Sequence, residues 1–483
     1  MYMPRRYIVV VLGFFGLLLS VGFRAVFSMV MVYVLREENT GSLLFFKECT
    51  INGTKWDLRL DWDVAVSQYF NTMFFLGYVA TQLPGGYLAA RISSKWVFGT
   101  AVLTSSGLLV VLSMTIRLGI PGVFVIRTLQ GLAEGVCLPA FNGVISAWAP
   151  KSEKTRMVTL AYSGLYLSPA VALFASGATT CYISWHSSLF IYGGLGVVWS
   201  IVWVSFVHDT PEMDPNLSPE EKQIYEKEGH QVSASSVQKV KYIPWREMLT
   251  SLPLSAIFVG NFCRNWVFAM VVTELPQYYA DGYKIDIASI GFLTSLPEIL
   301  MTIVVVVGGI IFDQLIKSQT ISTTTARKVA QCTGFGVESL CIFLLVFVNN
   351  HTLAMLLLCL GVGMSGLTIS GYQVNPLDLA PQYAHVLTGI SRLSCVGAVF
   401  STFVAGYLRQ DNLSSWQRIF LIASIIHFLG VVYYGIFASG ERQPWADPSK
   451  LDTADSKLNL TSYPEYGTSA QSDKISNAAE IDS

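Results

Sequence analysis

The sequence predicts an all-α membrane protein in which twelve transmembrane helices form two six-helix halves. Three observations support this fold class. Of the 483 residues, 52% are hydrophobic and only 13% are charged, whereas a soluble globular protein has roughly 25% charged residues. Apolar runs of about 20 residues or more, the length that crosses a bilayer as a helix, recur twelve times. A polar stretch separates the sixth run from the seventh.

The first run, residues 7–34, is too long for the apolar region of a signal peptide, and no small-residue cleavage site follows it. We therefore expect it to be the first span. The other predicted spans are residues 66–90, 97–116, 121–148, 158–180, 187–207, 252–280, 288–315, 329–348, 352–374, 384–408 and 418–438.

These runs set the expected domain boundaries. They are a cytoplasmic N-terminus (1–6), an N-terminal half (7–207), a central cytoplasmic loop (208–251), a C-terminal half (252–438) and a tail (439–483). In the loop, Ser218 followed by acidic residues is typical of a helix start, so a short surface helix is expected there. The tail is rich in Ser, Asp, Asn and Thr, which cannot bury a core, so it is predicted to be disordered.

Orientation follows from the basic residues of the short loops, which collect on the cytoplasmic side of membrane proteins. Here they fall on the same side as the central loop, which places both termini in the cytoplasm. The residues are Arg5, Arg6, Arg91, Lys95, Lys151, Lys154, Arg156, Lys317, Arg327 and Lys328.

The loop 35–65 is predicted on the opposite side, in a lumen or outside the cell. It contains Asn52 in an Asn-Gly-Thr sequence, which predicts N-glycosylation. Cys49 and Cys181 are both expected on this side, and the sequence leaves open whether they form a disulfide or stay as free thiols. The other six cysteines lie in apolar stretches and are expected to be buried thiols.

The two halves resemble each other. The glycine pair Gly85 and Gly86 ends the second span, and Gly308 and Gly309 hold the equivalent place in the eighth. Glycine pairs also mark close helix packing in membranes. Because position and topology agree, we interpret the pairs as part of a parallel six-span repeat, which predicts a substrate site between the halves near the middle of the membrane.

The fourth span carries two charges, Arg127 and Glu134, seven residues apart in an otherwise apolar segment. Seven residues span about 10.5 Å along a helix and keep both side chains on one face. Charges inside a membrane are costly and are usually functional. The alternative is an ion pair that only ties helices together.

Two further arginines lie in equivalent spans, Arg24 in the first and Arg264 in the seventh. Together with Arg127 they would give the central cavity a positive field suited to a carboxylate or phosphate, because arginine keeps its charge when desolvated and binds an oxyanion with two hydrogen bonds. For Arg24 the alternative is a side chain that reaches the membrane surface.

Other polar residues inside spans leave more than one interpretation open. Glu298 and Glu338 are candidates for proton or cation coupling, or for neutralising an arginine. Asn71, Tyr69 and Tyr278 are candidates for lining the substrate path, or for packing.

Several function classes are disfavoured. The six histidines are isolated or near loops, so neither a metal site nor a catalytic dyad is predicted, and no nucleotide-binding GxxxxGK[ST] motif is present. The net charge of −1 gives no sign of a nucleic-acid partner. We expect no cofactor and no enzymatic activity.

Several motifs resemble the vesicular glutamate transporters, in the anion and cation symporter branch of the major facilitator superfamily. They are TQLPGGYLAAR, IRTLQGLAEGV, NFCRNW, STTTARK, ISGYQVNPLDLAPQYA and FASGERQPWADP, and the similarity covers nearly all of residues 5–448. Sialin, the sialic-acid carrier of this branch, has Glu where this chain has Gln130 and lacks the arginine that matches Arg264.

The resemblance implies the major facilitator fold and alternating access. It also implies that Arg24, Arg127 and Arg264 bind anionic substrate or chloride, and that Glu134 takes part in proton-dependent gating. The chain departs from the family pattern at several positions. Asn71 and Glu298 stand where the glutamate transporters have histidines, Arg392 replaces an asparagine, and Ala90 replaces an aspartate whose counterpart in the second half is Asp313.

The expected function is therefore secondary active transport of an organic anion, with vesicular L-glutamate uptake driven by membrane potential and a proton gradient. The alternative is a sodium-dependent symporter of inorganic phosphate or of another, sialate-like organic anion. A third interpretation is a sensor or scaffold on the transporter fold. We expect protons, and either chloride or sodium, as coupling ions, and a monomer in a cytoplasmic or synaptic vesicle membrane, or else in the plasma membrane or lysosome.

Overall fold

The computed structural model describes residues 4–35, 60, 62–63, 65–116, 119–150, 153–227, 244–380, 383–410 and 412–446. The loop residues Cys49 and Asn52 lie outside this part of the chain. Cys181 is disulfide-bonded. The six cysteines predicted as thiols are free, and all of them are buried or partly buried.

The described residues form twelve long helices. They are α1 (Arg5–Val34), α2 (Val66–Arg91), α3 (Ser94–Thr115), α4 (Ile120–Trp148), α5 (Lys154–Tyr182), α6 (Trp185–Phe206), α7 (Leu252–Tyr283), α8 (Ile287–Lys317), α9 (Thr323–Leu345), α10 (His351–Leu379), α11 (Val386–Leu408) and α12 (Leu413–Phe437).

Among the described residues, eleven of these helices are both long and apolar enough to cross a membrane. The remaining one, α2, has 26 residues but a lower hydropathy. Its polar side chains, which include Gln68, Asn71 and Gln82, are buried inside the protein. The predicted twelve-helix fold is therefore confirmed, with α2 as a span whose polar side faces its neighbours.

Several helices start before their apolar segments. α9 begins at Thr323 rather than at residue 329, because the Ser322 hydroxyl accepts a hydrogen bond from the Thr325 amide at 3.1 Å. α12 begins at Leu413 rather than at residue 418, where Asn412 caps the first turn in the same way. Hydropathy finds the part of a helix inside the lipid, whereas the cap sets where the helix starts.

The two halves repeat the same helix packing. In the first half α1 packs on α5, α2 on α4 and α3 on α6, and in the second α7 packs on α11, α8 on α10 and α9 on α12. The halves meet along two equivalent seams, α5 against α8 and α2 against α11. The arrangement has the pseudo-symmetry expected of a parallel six-helix repeat.

The glycine pairs occupy equivalent positions in this packing. A Cβ atom on Gly85 would lie 2.7 Å from Val136 of α4, and one on Gly308 would lie 2.6 Å from Leu367 of α10. The first glycine of each pair therefore brings α2 onto α4 and α8 onto α10. The glycine pairs therefore fit both interpretations: they allow close helix packing, and they occupy equivalent positions in the two halves.

Four of the long helices are interrupted. α4 breaks at Val136, α7 contains a π-helical turn at Met270–Glu274, and 3-10 turns interrupt α10 at Gly366–Ser370 and α11 at Leu393–Cys395. At membrane depth such irregular backbone is tolerated where it is buried in protein or lines a cavity.

The end with the basic loops is called the cytoplasmic end here, and the opposite end the luminal end. At the cytoplasmic end the central loop folds back onto α1. Arg5 Nε lies 3.0 Å from Asp214 Oδ2, and Arg6 Nη1 lies 3.2 Å from Glu221 Oε1. Glu221 belongs to the predicted surface helix, Pro219–Lys227, whose Ser218 hydroxyl accepts the Glu221 amide.

The boundary predicted for the disordered tail needs correction. Residues 439–446 are ordered against the C-terminal half: the Gln443 amide donates to the Leu379 carbonyl at 2.9 Å, and Ala446 is fully buried. The prediction of disorder used the average composition of residues 439–483. That average does not show the short segment around Trp445 that packs on the C-terminal half.

Candidate functional site

A cavity of about 150 Å³ lies between the two halves. Helices α1, α2, α4 and α5 line it from the first half, and α7, α10 and α11 from the second. Its only charged lining residues, among those described, are three arginines: Arg24, Arg264 and Arg392. The predicted position of the site between the halves therefore coincides with a cavity that both halves form.

Arg24 projects from α1 inside the protein and is only 5% exposed. Its Nη2 atom lies 3.3 Å from Glu134 Oε2, and its guanidinium lies over the rings of Phe74 and Tyr78 at 5.2 and 5.0 Å. The alternative that this side chain reaches the membrane surface is wrong for this structure. Glu134 neutralises Arg24, and aromatic faces surround the guanidinium.

Arg127 does not line the cavity, which corrects the expectation that it shares the void with the other two arginines. It is fully buried and donates to Gln130 Oε1 at 2.6 Å and to Asn71 Oδ1 at 3.1 Å. Its guanidinium lies 4.1 Å from the ring centroid of Phe27. Asn71 is likewise held behind the cavity wall and supports Arg127.

Backbone packing explains this placement. Gly131, on the same helix face as Arg127, is so close to α2 that a Cβ atom there would overlap the Phe74 carbonyl oxygen. Gly77 of α2 would place a Cβ atom 2.6 Å from the Thr128 carbonyl. Because α4 and α2 touch at their backbones, long side chains on this face lie beside the contact and not in the cavity.

Glu134 forms its ion pair with Arg24 of another helix and not with Arg127 of its own. The second carboxylate oxygen, Oε1, is buried without a hydrogen bond in the described part of the chain. Sequence spacing correctly put Arg127 and Glu134 on one helix but did not show which arginine Glu134 would contact.

Arg264 reaches the cavity from α7. Its Nη1 atom donates to the Ser365 hydroxyl at 3.1 Å, its Nη2 atom lies 3.1 Å from Met301 Sδ, and its guanidinium lies 5.2 Å from the Phe268 ring centroid. No carboxylate among the described residues pairs with it. Its positive charge is therefore available to a ligand.

Arg392 is the third arginine of the cavity, and the sequence alone gave it no role. It ends the first segment of α11, directly before the 3-10 turn Leu393–Cys395. It forms no ion pair with a described residue, and its Nε atom has no hydrogen-bond partner there. The signal that pointed to it was a charged residue inside the eleventh apolar run.

The other candidate residues lie outside the cavity lining. Tyr278 is near the luminal end, where its hydroxyl lies 3.0 Å from that of Tyr283 and its ring packs on Trp416 and Phe420. The π-helical turn before it adds a residue to one turn, which rotates the following side chains about the helix axis. The spacing of an uninterrupted helix could not predict this.

The two buried glutamates of the second half differ from each other. Glu298, in α8, has no hydrogen bond to either carboxylate oxygen in the described part of the chain. It lies one turn before Met301, the residue that contacts Arg264. Glu338 pairs with His427, with Oε2 and Nε2 2.9 Å apart. Neither glutamate lines the cavity.

Uncharged polar groups complete the lining. Tyr78 and Tyr166 come from the first half, and Tyr372, Asn261 and Gln373 from the second. Much of the wall in the second half comes from the interrupted parts of α10 and α11, where backbone polar groups leave the helical pattern. The wall thus offers hydroxyl and amide groups beside the guanidinium groups.

The cavity is closed at the luminal end by contacts between the halves. Arg409 follows α11, and its Nε atom lies 2.8 Å from Asp281 Oδ2 of α7. Its Nη1 atom donates to the Ser67 hydroxyl of α2 at 2.8 Å, a contact that crosses from one half to the other. Thr72 Oγ1 lies 3.0 Å from Thr402 Oγ1. In the described part of the chain, the hydrogen bonds that join the halves are at this end, which indicates an inward-facing state.

Comparison with known proteins agrees with this architecture. The family model of the Major Facilitator Superfamily matches residues 13–395. Vesicular glutamate transporter 2 of Homo sapiens is 36% identical over 454 residues, which cover 93% of this chain and 76% of the relative. Vesicular glutamate transporter 2.2 of Danio rerio is 35% identical over 479 residues, covering 99% of this chain and 80% of the relative.

Two solved structures share the fold at low sequence identity. A bacterial homologue of the human lysosomal transporter Spinster, inward-facing and unoccupied, has a TM-score of 0.67 at 11% identity and covers 92% of this chain and 100% of its own. The inward-open xylose transporter XylE from E. coli has a TM-score of 0.62 at 10% identity, covering 93% and 99%. The chain therefore belongs to the major facilitator superfamily, as a vesicular glutamate transporter-like member: a multi-pass membrane protein that carries a small organic anion by secondary active transport and is not an enzyme.

Proposed function

We propose that this transporter carries L-glutamate from the cytosol into an acidic vesicle. The observation that supports the proposal is the charge of the cavity. Arg24, Arg264 and Arg392 line it, and among the described residues only Arg24 has a carboxylate partner. The curated relatives, whose names specify glutamate, suggest which anion is carried.

Arginine is suited to this role for two reasons. A guanidinium group stays charged when it is removed from water, and its planar fork donates two parallel hydrogen bonds to a carboxylate. An unpaired cation in a low-dielectric cavity is costly. An anion that enters the cavity supplies the missing counter-charge, so binding is favoured for anions and disfavoured for neutral or cationic solutes.

The cavity also sets an upper limit on solute size. A cavity of about 150 Å³ in another protein holds benzene. The space here is of similar volume. It suits a small anion whose polar ends interact with the arginines and the hydroxyl groups of the wall.

Alternating access completes the cycle. In the inward-facing state the anion enters from the cytosol and contacts groups on both halves. The halves then rock about the site. Release into the lumen requires that the Arg409 contacts with Ser67 and the contact between Thr72 and Thr402 break, because they hold the luminal ends together.

Membrane voltage supplies the driving force in this proposal. An anion gains about 2.3 kcal/mol per charge per 100 mV on entering a lumen that is positive inside, which is enough to concentrate it roughly fortyfold. No nucleotide site is needed for such a carrier.

Protons would act through Glu134. When Glu134 is protonated it loses its ion pair with Arg24, and Arg24 then needs another anion. Chloride and substrate both fit this requirement. The two halves that form the cavity belong to one chain, so the working unit that we propose is a monomer.

A sodium-coupled phosphate carrier is the second candidate. Three guanidinium groups on the same cavity also suit a tetrahedral dianion, because each can bind two of its oxygen atoms. The glutamate candidate is favoured by the identity of the curated relatives.

Reconstitution tests both candidates. Purified protein in liposomes, with a voltage imposed by a potassium gradient and valinomycin and with no sodium gradient, is expected to accumulate radiolabelled glutamate. Liposomes with a sodium gradient and no voltage are the matched control. Accumulation of phosphate only with sodium would establish the second candidate, and no uptake of either anion would contradict the proposed function.

A further inference from the structure

Arg392 lines the cavity, and its Nε atom is buried without a hydrogen bond to a described residue. No described carboxylate forms an ion pair with it. Arg24 is neutralised by Glu134, and Arg264 is held by Ser365 and Met301. Arg392 is thus the cavity arginine that the protein itself restrains least.

The arginines of the site outnumber the carboxylates paired with them. Three arginines line the cavity, and among the described residues Glu134, the partner of Arg24, is the one carboxylate that pairs with any of them. The difference is two positive charges. A solute with one acidic group leaves one of the two remaining guanidinium groups without a counter-charge, whereas a solute with two acidic groups supplies one to each.

The two unneutralised arginines lie at different depths. Asn265, the residue after Arg264, donates to the Ser394 hydroxyl at 3.4 Å, so Arg264 lies level with the 3-10 turn that follows Arg392. Both helices run from the cytoplasmic end, so Arg392 lies nearer to that end than Arg264, by up to about one helical turn. A solute with two acidic groups at opposite ends of a short carbon chain can contact both arginines at this separation, whereas a solute with a single acidic group cannot.

The cavity offers little to an ammonium group. Among the described residues that line it there is no carboxylate, and the groups left for a cation are aromatic faces and neutral oxygens such as those of Tyr166 and Gln373. An amino group on the substrate therefore gains little from binding.

We propose that Arg392 is a specificity-determining residue that binds the second acidic group of the substrate, so that the site selects small solutes with two acidic groups and does not require an amino group. This inference rests on the proposed function, because it names the substrate class of the same cavity. Arg264 binds one acidic group and Arg392 the other.

Four compounds separate the contributions of the two groups. Glutamate has two carboxylates and an amine, and glutarate has the two carboxylates alone. Glutamine and glutaramate are the same pair with one carboxylate replaced by an amide. At about pH 7 every carboxylate is ionised, because the ordinary pKa of a side-chain carboxyl is near 4.

Two readouts are used, so that transport and binding are judged separately. The first is inhibition of voltage-driven glutamate uptake in proteoliposomes. The second is the thermal stabilisation of detergent-purified protein by each compound, which reports binding without transport. The variants are Arg392→Gln and Arg392→Lys. The control is Arg418→Gln, which removes an exposed arginine of α12 outside the cavity.

In the unmodified protein, glutarate and glutamate are expected to bind within about threefold of each other. Glutamine and glutaramate are expected to bind at least about tenfold more weakly, the factor that corresponds to 1.4 kcal/mol. Arg392→Gln should weaken the binding of glutarate by about tenfold or more and change the binding of glutaramate by no more than roughly twofold. Arg392→Lys should bind glutarate with an affinity between those of the unmodified protein and Arg392→Gln. Arg418→Gln should bind all four compounds as the unmodified protein does.

Each other outcome decides a question. If Arg392→Gln weakens glutarate and glutaramate equally, or neither, Arg392 does not read the second acidic group and the inference is overturned while anion transport stands. If glutamate binds far more tightly than glutarate, the part of the inference about the amino group is wrong. If binding follows the predicted pattern but no voltage-driven uptake occurs, the proposed function fails and the inference stands.

Discussion

The luminal and cytoplasmic ends of the molecule are held together in different ways. At the luminal end the hydrogen bonds of Arg409 with Ser67 and of Thr72 with Thr402 cross from one half to the other. At the cytoplasmic end, in the part of the chain that the structure describes, no ion pair joins the two halves. Arg6 pairs with Glu153 at the start of α5 and with Glu221 of the central loop, and Arg327 pairs with Asp378 in the second half.

This difference indicates which contacts must break in the transport cycle. Contacts within one half move with it as a rigid body and survive the rocking motion. Contacts between halves stabilise one state at the expense of the other, so each sets the balance between inward-facing and lumen-facing forms. Substitutions at the luminal end are therefore expected to change transport, whereas substitutions at the cytoplasmic end are expected to change stability.

The largest effect is expected from a covalent link across the luminal seam. The double variant Thr72→Cys with Thr402→Cys places two thiols where hydroxyls lie 3.0 Å apart. Oxidation should lock the inward-facing state and abolish uptake, and a reductant should restore it. Uptake by proteoliposomes is measured before and after reduction, with the two single variants as controls. Full uptake by a protein shown by mass to be cross-linked would contradict the assignment of this seam as a gate.

The luminal ion pair should give the next largest effect. Asp281 accepts from both Arg409 and the Trp416 indole, at 2.8 and 3.1 Å. Asp281→Asn leaves a buried guanidinium without its counter-charge, and breaking a buried pair costs about 3–5 kcal/mol. Both residues belong to the C-terminal half, but Asp281 also holds Arg409 in contact with Ser67 of the first half, so the variant should weaken this luminal contact between the halves. A cysteine placed in the cavity wall should then react faster with a thiol reagent added on the luminal side. Unchanged accessibility would show that the pair does not close this end.

The glycine contact between α5 and α8 offers a matched pair of substitutions. A Cβ atom on Gly177 would lie 2.9 Å from Gly291 Cα, whereas one on Gly194 of α6 would have nothing within 4 Å. Gly177→Ala should destabilise the protein by about 1–3 kcal/mol, the usual cost of overpacking. Gly194→Ala should be neutral or slightly stabilising, because alanine favours a helix. Thermal unfolding in detergent compares the two variants, and equal transitions would argue against a tight seam.

The smallest effect is expected at the cytoplasmic end. A hydrogen bond from Arg6 lowers the pKa of Glu153 below its ordinary value. The contribution of Glu153 to stability is therefore present at neutral pH, above the ordinary pKa, and is lost as the pH falls through the lowered pKa of the folded state. Since Glu153 is partly exposed, Glu153→Gln should cost less than about 1 kcal/mol.

Thermal unfolding at about pH 7 and about pH 4 measures the contribution of Glu153 to stability. The difference in unfolding temperature between the unmodified protein and Glu153→Gln should be smaller at the lower pH. Uptake by the variant at neutral pH should be unchanged. A large loss of uptake would show that this contact also takes part in the transport cycle.

Much of the architecture could be predicted from the sequence because hydropathy reports directly on the membrane. The twelve spans, the two halves and the equivalent glycines all follow from apolar runs and their order. Helix starts were less accurate, since caps such as Ser322 and Asn412 lie outside the apolar segments.

The site was predicted only in part. Arg24 and Arg264 lie at the cavity as expected. Each is a charged residue inside the first helix of its half, and such a side chain is rarely placed against lipid. Arg127 and Tyr278 do not line it. The first lies beside a glycine contact that only the packing of α2 on α4 reveals, and the second follows a π-helical turn. Arg392 gained its role only when the break in α11 placed it at the cavity wall.

The most direct test of the central claim is voltage-driven glutamate uptake by the Arg264→Ala variant, compared with Arg418→Ala, in proteoliposomes that contain equal amounts of folded protein. Arg264 lines the cavity, and no carboxylate in the described part of the chain pairs with it. Uptake by Arg264→Ala should fall by about a hundredfold or more, as expected for the loss of a charge-assisted bidentate contact worth about 3 kcal/mol. Uptake by Arg418→Ala should be normal. Normal uptake by Arg264→Ala would contradict the claim that this cavity binds the transported anion.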